Sequence, residues 1–131
     1  MQRRVRQLLA GLAALIVSAA VWGQATTQGA LLPKDSLDAA TFRGGLVYAN
    51  YCVTCHGINA DGNGRAARLY NPKPANLRMS DKNDAYYGLI IRKGGAALAR
   101  SEFMPAWEAE LTHEQITDLV AYLRSINAAK S

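Results

Sequence analysis

The chain has 131 residues, with 15 Lys plus Arg against 10 Asp plus Glu and a formal net charge of +5. That length suits one domain and no more once any leader is removed. The basic excess does not point to nucleic acid, because three of the cations, Arg3, Arg4 and Arg6, fall within the first six residues.

Those arginines form the basic start of a secretory signal over residues 1–25. An apolar run with small residues follows from Leu8 to Trp22, and Gly23-Gln24-Ala25 supplies small residues before a cut. Cleavage is expected after Ala25, with Ala20 as the alternative. The competing reading is an uncleaved anchor helix, but the run is shorter than the ~20 residues a spanning helix needs. Arg3-Arg4 lacks the context of a twin-arginine signal. Removing residues 1–25 leaves 12 basic against 10 acidic residues, a net charge of about +2. About 106 residues remain, and a domain that small has a modest core.

Residues 26–36 are polar, contain Pro33 and read as a flexible lead-in. A first helix is expected over residues 37–51, capped by Ser36. Gly44 and Gly45 each cost a helix interior about 1 kcal/mol against Ala. Their presence there suggests another backbone passing close; the alternative is that they break the helix. Gly44, Tyr48 and Cys52 share one face at four-residue spacing.

The helix runs into Cys52-Val53-Thr54-Cys55-His56, which reads C-x-x-C-H, the attachment signature of a c-type haem. Two thiols three positions apart on a helical turn lie on one side of the backbone and can add to the two vinyl groups. His56 follows at once, placed to ligate iron on the proximal face. Three other chemistries compete for the same residues. A thioredoxin-like C-x-x-C needs a strand–helix–strand setting, and strand runs are scarce here. A Cys52–Cys55 disulfide would close too small a loop to stabilise much. Zinc would need Cys52, Cys55, His56 and His113 together, and His56 directly after Cys55 suits one tetrahedral site poorly.

Residues 57–64 are rich in Gly, Asn and Asp and read as loop. Asp61-Gly62-Asn63 matches part of a calcium loop, without the glutamate that would complete it. Asn71-Pro72-Lys73-Pro74-Ala75-Asn76-Leu77 is a second, stiffer loop. A fixed proline carbonyl can accept the Nδ1–H of an iron-bound histidine, with Pro74 the first candidate and Pro72 the second; a simple chain reversal is the alternative. A helix is expected over 82–93, with Ala85, Leu89 and Ile90 as its apolar stripe and Gly94-Gly95 as its end. Residues 96–103 read as loop, followed by Met104-Pro105-Ala106-Trp107. The last helix is expected over 112–127, opened by the capping box Thr112-His113-Glu114-Gln115. Ile116, Leu119, Val120 and Leu123 repeat there at helical spacing, with Tyr122 beside them.

Taken in this order, these features resemble a class I cytochrome c of the small bacterial periplasmic monohaem type, over about residues 37–127. The resemblance rests on the helix with Gly44 and Tyr48, the C-x-x-C-H, Pro74-Ala75-Asn76-Leu77, the helix ending at Gly94-Gly95, and Met104-Pro105 ahead of a helix with Leu119 and Tyr122. It implies an all-α fold over residues 37–131 in which the N- and C-terminal helices cross near Gly44 around one covalently bound haem. Tyr48 would then pack against Leu119 and Tyr122. For the sixth iron position the candidates are Met104, Met79, His113 and a lysine. The family pattern favours Met104, in a loop stiffened by Pro105, and methionine ligation raises the haem potential. Met79 reads as an edge residue, and His113 sits in a capping box that points its side chain to solvent.

The functional expectation is a periplasmic carrier of single electrons, not an enzyme. One haem c is held by Cys52 and Cys55 and ligated by His56 and Met104. Its partners would be a periplasmic dehydrogenase or an oxidase or respiratory complex, with no nucleic acid, and the membrane only if the signal is retained. It would be a monomer or a complex subunit. The alternatives are a haem enzyme with an open sixth site for peroxide or another small ligand, and a subunit fixed to a dehydrogenase or oxidase.

Overall fold

The computed structural model describes residues 31–127; the stretch read as a signal, and residues 26–30 and 128–131, lie outside the described residues. Four helices organise the described chain: α1 (Leu37–Tyr51), α2 (Val53–His56), α3 (Asp84–Lys93) and α4 (His113–Ser125). Short 3₁₀ turns at Ala67–Leu69 and Ala96–Leu98 interrupt the connections. No strand occurs among the described residues, so the fold is all-α.

Each long helix begins where a side chain can take an orphan N–H. The Ser36 hydroxyl accepts from the Ala39 N–H at 3.1 Å at the start of α1. The Asn83 side chain does the same for Tyr86 at 2.9 Å at the start of α3. In α4 the expected capping box is complete: Thr112 Oγ1 accepts from the Gln115 N–H at 3.2 Å, and the Gln115 side chain accepts from the Thr112 N–H at 2.8 Å. The last stretch of the lead-in is a turn, closed by the Ser36 N–H on the Pro33 carbonyl at 2.9 Å.

α1 crosses α4, and the crossing is built on Gly44. A Cβ at this position would run into the Asp118 carbonyl and come within 2.8 Å of Tyr122 Cβ. Neither glycine breaks α1. Tyr48, one turn on, packs in the same core cluster as Leu119, and its ring meets Tyr122 at 5.3 Å between centroids. Beside the crossing, the Arg43 guanidinium grips the buried Asp118 carboxylate with two bonds of 2.6 and 3.0 Å. Ile116, Leu119, Val120 and Leu123 are all buried, as their spacing predicts.

The stripe expected for α3 is turned from the one observed. Ala85 and Leu89 face solvent, Ile90 is half-buried, and Tyr87, Gly88 and Ile91 face inward. Six of the ten residues of α3 are apolar or aromatic, so periodicity alone does not choose a face; packing against α4 does.

Candidate haem site

Cys52 caps the ends of both α1 and α2, so the motif sits at a helix–helix junction and not between strands. The two thiols are free and not bonded to each other. Among the described residues, no group of three His, Cys, Asp or Glu is placed to hold a metal ion.

The loop after His56 folds back over the open end of α2. Its N–H groups satisfy three consecutive carbonyls there: Ala66 donates to Thr54 at 3.0 Å, Gly64 to Cys55 at 3.1 Å and Gly62 to His56 at 2.9 Å. Gly62 is at φ +83, and a side chain on it would strike the Pro74 carbonyl, so the two loops touch here. The Tyr48 hydroxyl donates to the Gly57 carbonyl at 2.6 Å and ties the loop back to α1. Burial raises the Tyr48 pKa, which keeps that hydroxyl a donor.

His56 Nδ1 lies 3.0 Å from a carbonyl of the second loop, as expected in kind. The carbonyl is Ala75's, however, and not that of Pro74 or Pro72. The Pro74 carbonyl lies against Gly62, where a side chain would strike it, and the next carbonyl along the loop is the one within hydrogen-bond distance of the imidazole. A proton on Nδ1 donates to Ala75 and leaves Nε2 with its lone pair free. Burial lowers the His56 pKa, partly opposed by the Ala75 bond, which favours the protonated ring. Burial, with Cys55 second, pushes the Cys52 thiol up to about 12.

Cys52, Cys55, His56 and Met104 all line one cavity of about 550 Å³, and Pro74 lines it too. Its wall includes Ile91, Leu119 and Leu123 from the helix core. The size lies within the range of cofactor sites, and such sites pair apolar walls with a few placed polar groups. Met79 is 63% exposed and His113 faces solvent; neither lines the cavity. The donor set fits a c-type haem: two thiols to bond it, an imidazole with a free Nε2, and a thioether in the same space.

Two aromatic contacts also line this cavity: Tyr51 with Trp107 (5.4 Å, edge-on) and Tyr70 with Phe103 (5.0 Å, tilted). Each joins residues far apart in sequence, and no local pattern marks such pairs.

Among the described residues, the four-helix, strand-free fold with these donors around one cavity has the pattern of a class I cytochrome c domain. Residues 39–123 match the family described as cytochrome c oxidase, cbb3-type, subunit III, and the chain belongs to that family. The chain is also similar to the cbb3-type cytochrome c oxidase subunit FixP of Bradyrhizobium sp. (strain ORS 278), with 30% identity over 103 residues and 74% of the chain covered. It spans only 30% of that relative's length. Among solved structures it resembles a chain of the Kuenenia stuttgartiensis reducing HAO-like protein complex Kustc0457/Kustc0458. The TM-score is 0.57 at 30% identity, covering 67% of this chain and 43% of that one. Membership of a cytochrome c family carries haem c binding with it. Among the described residues, no helix is long and apolar enough to cross a membrane.

Proposed function

We propose that this chain is an exported monohaem cytochrome that passes single electrons between redox proteins and catalyses no reaction of its own. In this reading Cys52 and Cys55 hold one haem through thioethers. His56 would offer Nε2 to its iron and Met104 would offer its sulfur. When bound, the haem supplies a one-electron iron couple. The protein's own task is to fix the ligands and keep water out. The Ala75 carbonyl orients His56, and the wall of Ile91, Leu119 and Leu123 excludes solvent. The observation that carries the reading is the convergence of both thiols, His56 and Met104 on one cavity, with His56 already held through Nδ1.

Export is the condition for this chemistry, and the basic and apolar start of the chain supports a periplasmic location. A docked subunit is favoured over a free shuttle by the relatives, whose names place them in an oxidase and in a protein complex. The test of attachment is Cys52→Ala with Cys55→Ala, expressed with the haem-attachment machinery and denatured. Covalent haem should vanish, since no other thiol exists. A double variant that keeps its haem through denaturation and organic extraction would contradict the reading. Purification at native expression separates shuttle from subunit: a docked subunit brings stoichiometric partners with it.

A further inference from the structure

The loop that carries Met104 is fastened by its backbone to α3 and to the turn that follows it. The Met104 carbonyl accepts from the Gly95 N–H at 2.9 Å, and the Trp107 N–H donates to the Ile91 carbonyl at 2.9 Å. The Met104 N–H donates within its own loop, to the Ser101 carbonyl at 3.3 Å. None of these bonds reaches the side of the cavity that holds His56. Two ring contacts do, and they flank Met104 at one residue before and three after. Phe103 meets Tyr70, which lies on the stretch leading to Ala75; Trp107 meets Tyr51, which directly precedes Cys52. All four rings line the cavity. Trp107 also packs on the core cluster, whereas Phe103 stands outside it and is 45% exposed. The position of Phe103 therefore owes little to the core and much to Tyr70.

We propose that Tyr70 and Phe103 form a clasp between the Met104 loop and the His56 side of the cavity, and act as positioning residues that set how often Met104 swings away. This rests on Met104 being the sixth ligand. The backbone bonds at Gly95 and Ile91 leave the loop hinged on α3 and the turn after it, and the aromatic pair closes the free side. An aromatic pair of this geometry contributes enough beyond its buried area to change an opening equilibrium roughly 2- to 12-fold.

Carbon monoxide binding to the reduced holoprotein reads that equilibrium, because the gas can take the sixth position only when Met104 is away. Below saturation the rate scales with the open fraction. Phe103→Ala and Tyr70→Leu should each speed binding roughly 2- to 12-fold. The double variant should be little faster than either one, because both remove the same contact. Phe103→Tyr, which keeps a ring, should bind at the wild-type rate, and so should Leu69→Ala, an exposed neighbour outside the cavity. A wild-type rate in Phe103→Ala, or fully additive effects in the double variant, overturns the clasp. Met104→Ala fixes the fast limit. If it binds no faster than wild type, the ligand assignment fails and takes the clasp with it. If it is fast while Phe103→Ala is unchanged, the clasp alone is wrong.

Discussion

Replacing Gly44 and Gly45 separately by alanine should move stability in opposite directions. In the middle of a helix, alanine is worth about 1 kcal/mol over glycine at either position. At Gly44 the new methyl group would overlap the Asp118 carbonyl oxygen, sit 2.5 Å from its carbon and 2.8 Å from Tyr122 Cβ. Two of those atoms are backbone of α4, so relief requires the helices to part, which also pulls on the Arg43–Asp118 pair. Overpacking of this kind costs roughly 1–3 kcal/mol, occasionally more, and outweighs the helical gain. At Gly45 the nearest atoms belong to the Tyr122 ring at 3.4 Å, an ordinary contact, and the helical gain survives. Gly44→Ala should therefore destabilise the holoprotein by up to about 2 kcal/mol net, and Gly45→Ala should be neutral or stabilise it by up to about 1 kcal/mol. Guanidinium unfolding of both variants, followed by far-ultraviolet circular dichroism at equal haem loading, gives the comparison. A Gly44→Ala protein at least as stable as wild type would refute the crossing at this residue.

Among the described residues the buried Tyr87 hydroxyl has no hydrogen-bond partner, and Tyr87 lines the cavity, so Tyr87→Phe should leave stability unchanged or raise it by up to about 1–3 kcal/mol; clear destabilisation of the holoprotein in thermal unfolding would show that the hydroxyl bonds to the group that fills the cavity. Asp61 has its pKa held down chiefly by the Asn63 N–H bonded to its carboxylate at 3.0 Å. A depressed carboxylate stabilises the fold above its unfolded pKa, and that share is lost as pH falls through the folded value. Nuclear magnetic resonance titration of the Asp61 side chain should accordingly place its midpoint below the ordinary aspartate range, and a normal midpoint contradicts the bond.

Much of this arrangement was legible in the chain because local chemistry decides it. Ser36 and Thr112–Gln115 announce helix starts by what their side chains can cap. The apolar repeat of α4 points to one face, and a glycine four residues before a tyrosine in α1 signals a close backbone. C-x-x-C-H carries its chemistry in its spacing. What sequence could not decide depends on where distant segments meet. Any residue of a loop offers a carbonyl, so choosing Ala75 over Pro74 depends on how that whole loop is seated beside α2. The inward face of α3 was ambiguous because Tyr86, Tyr87, Leu89, Ile90 and Ile91 surround the helix. The Arg43–Asp118 pair joins residues 75 positions apart, and the Tyr70–Phe103 and Tyr51–Trp107 contacts are likewise non-local.

The central claim is that the cavity holds a haem ligated by His56 and Met104. The most direct measurement is the far-red sulfur-to-iron band of the oxidised holoprotein, recorded for wild type, Met104→Ala and Met79→Ala. Met104 lines the cavity, while Met79 lies outside it and is largely exposed. The band should be present in wild type and Met79→Ala and absent in Met104→Ala, which should keep its haem and show a lower reduction potential. A band lost in Met79→Ala and retained in Met104→Ala would contradict the account.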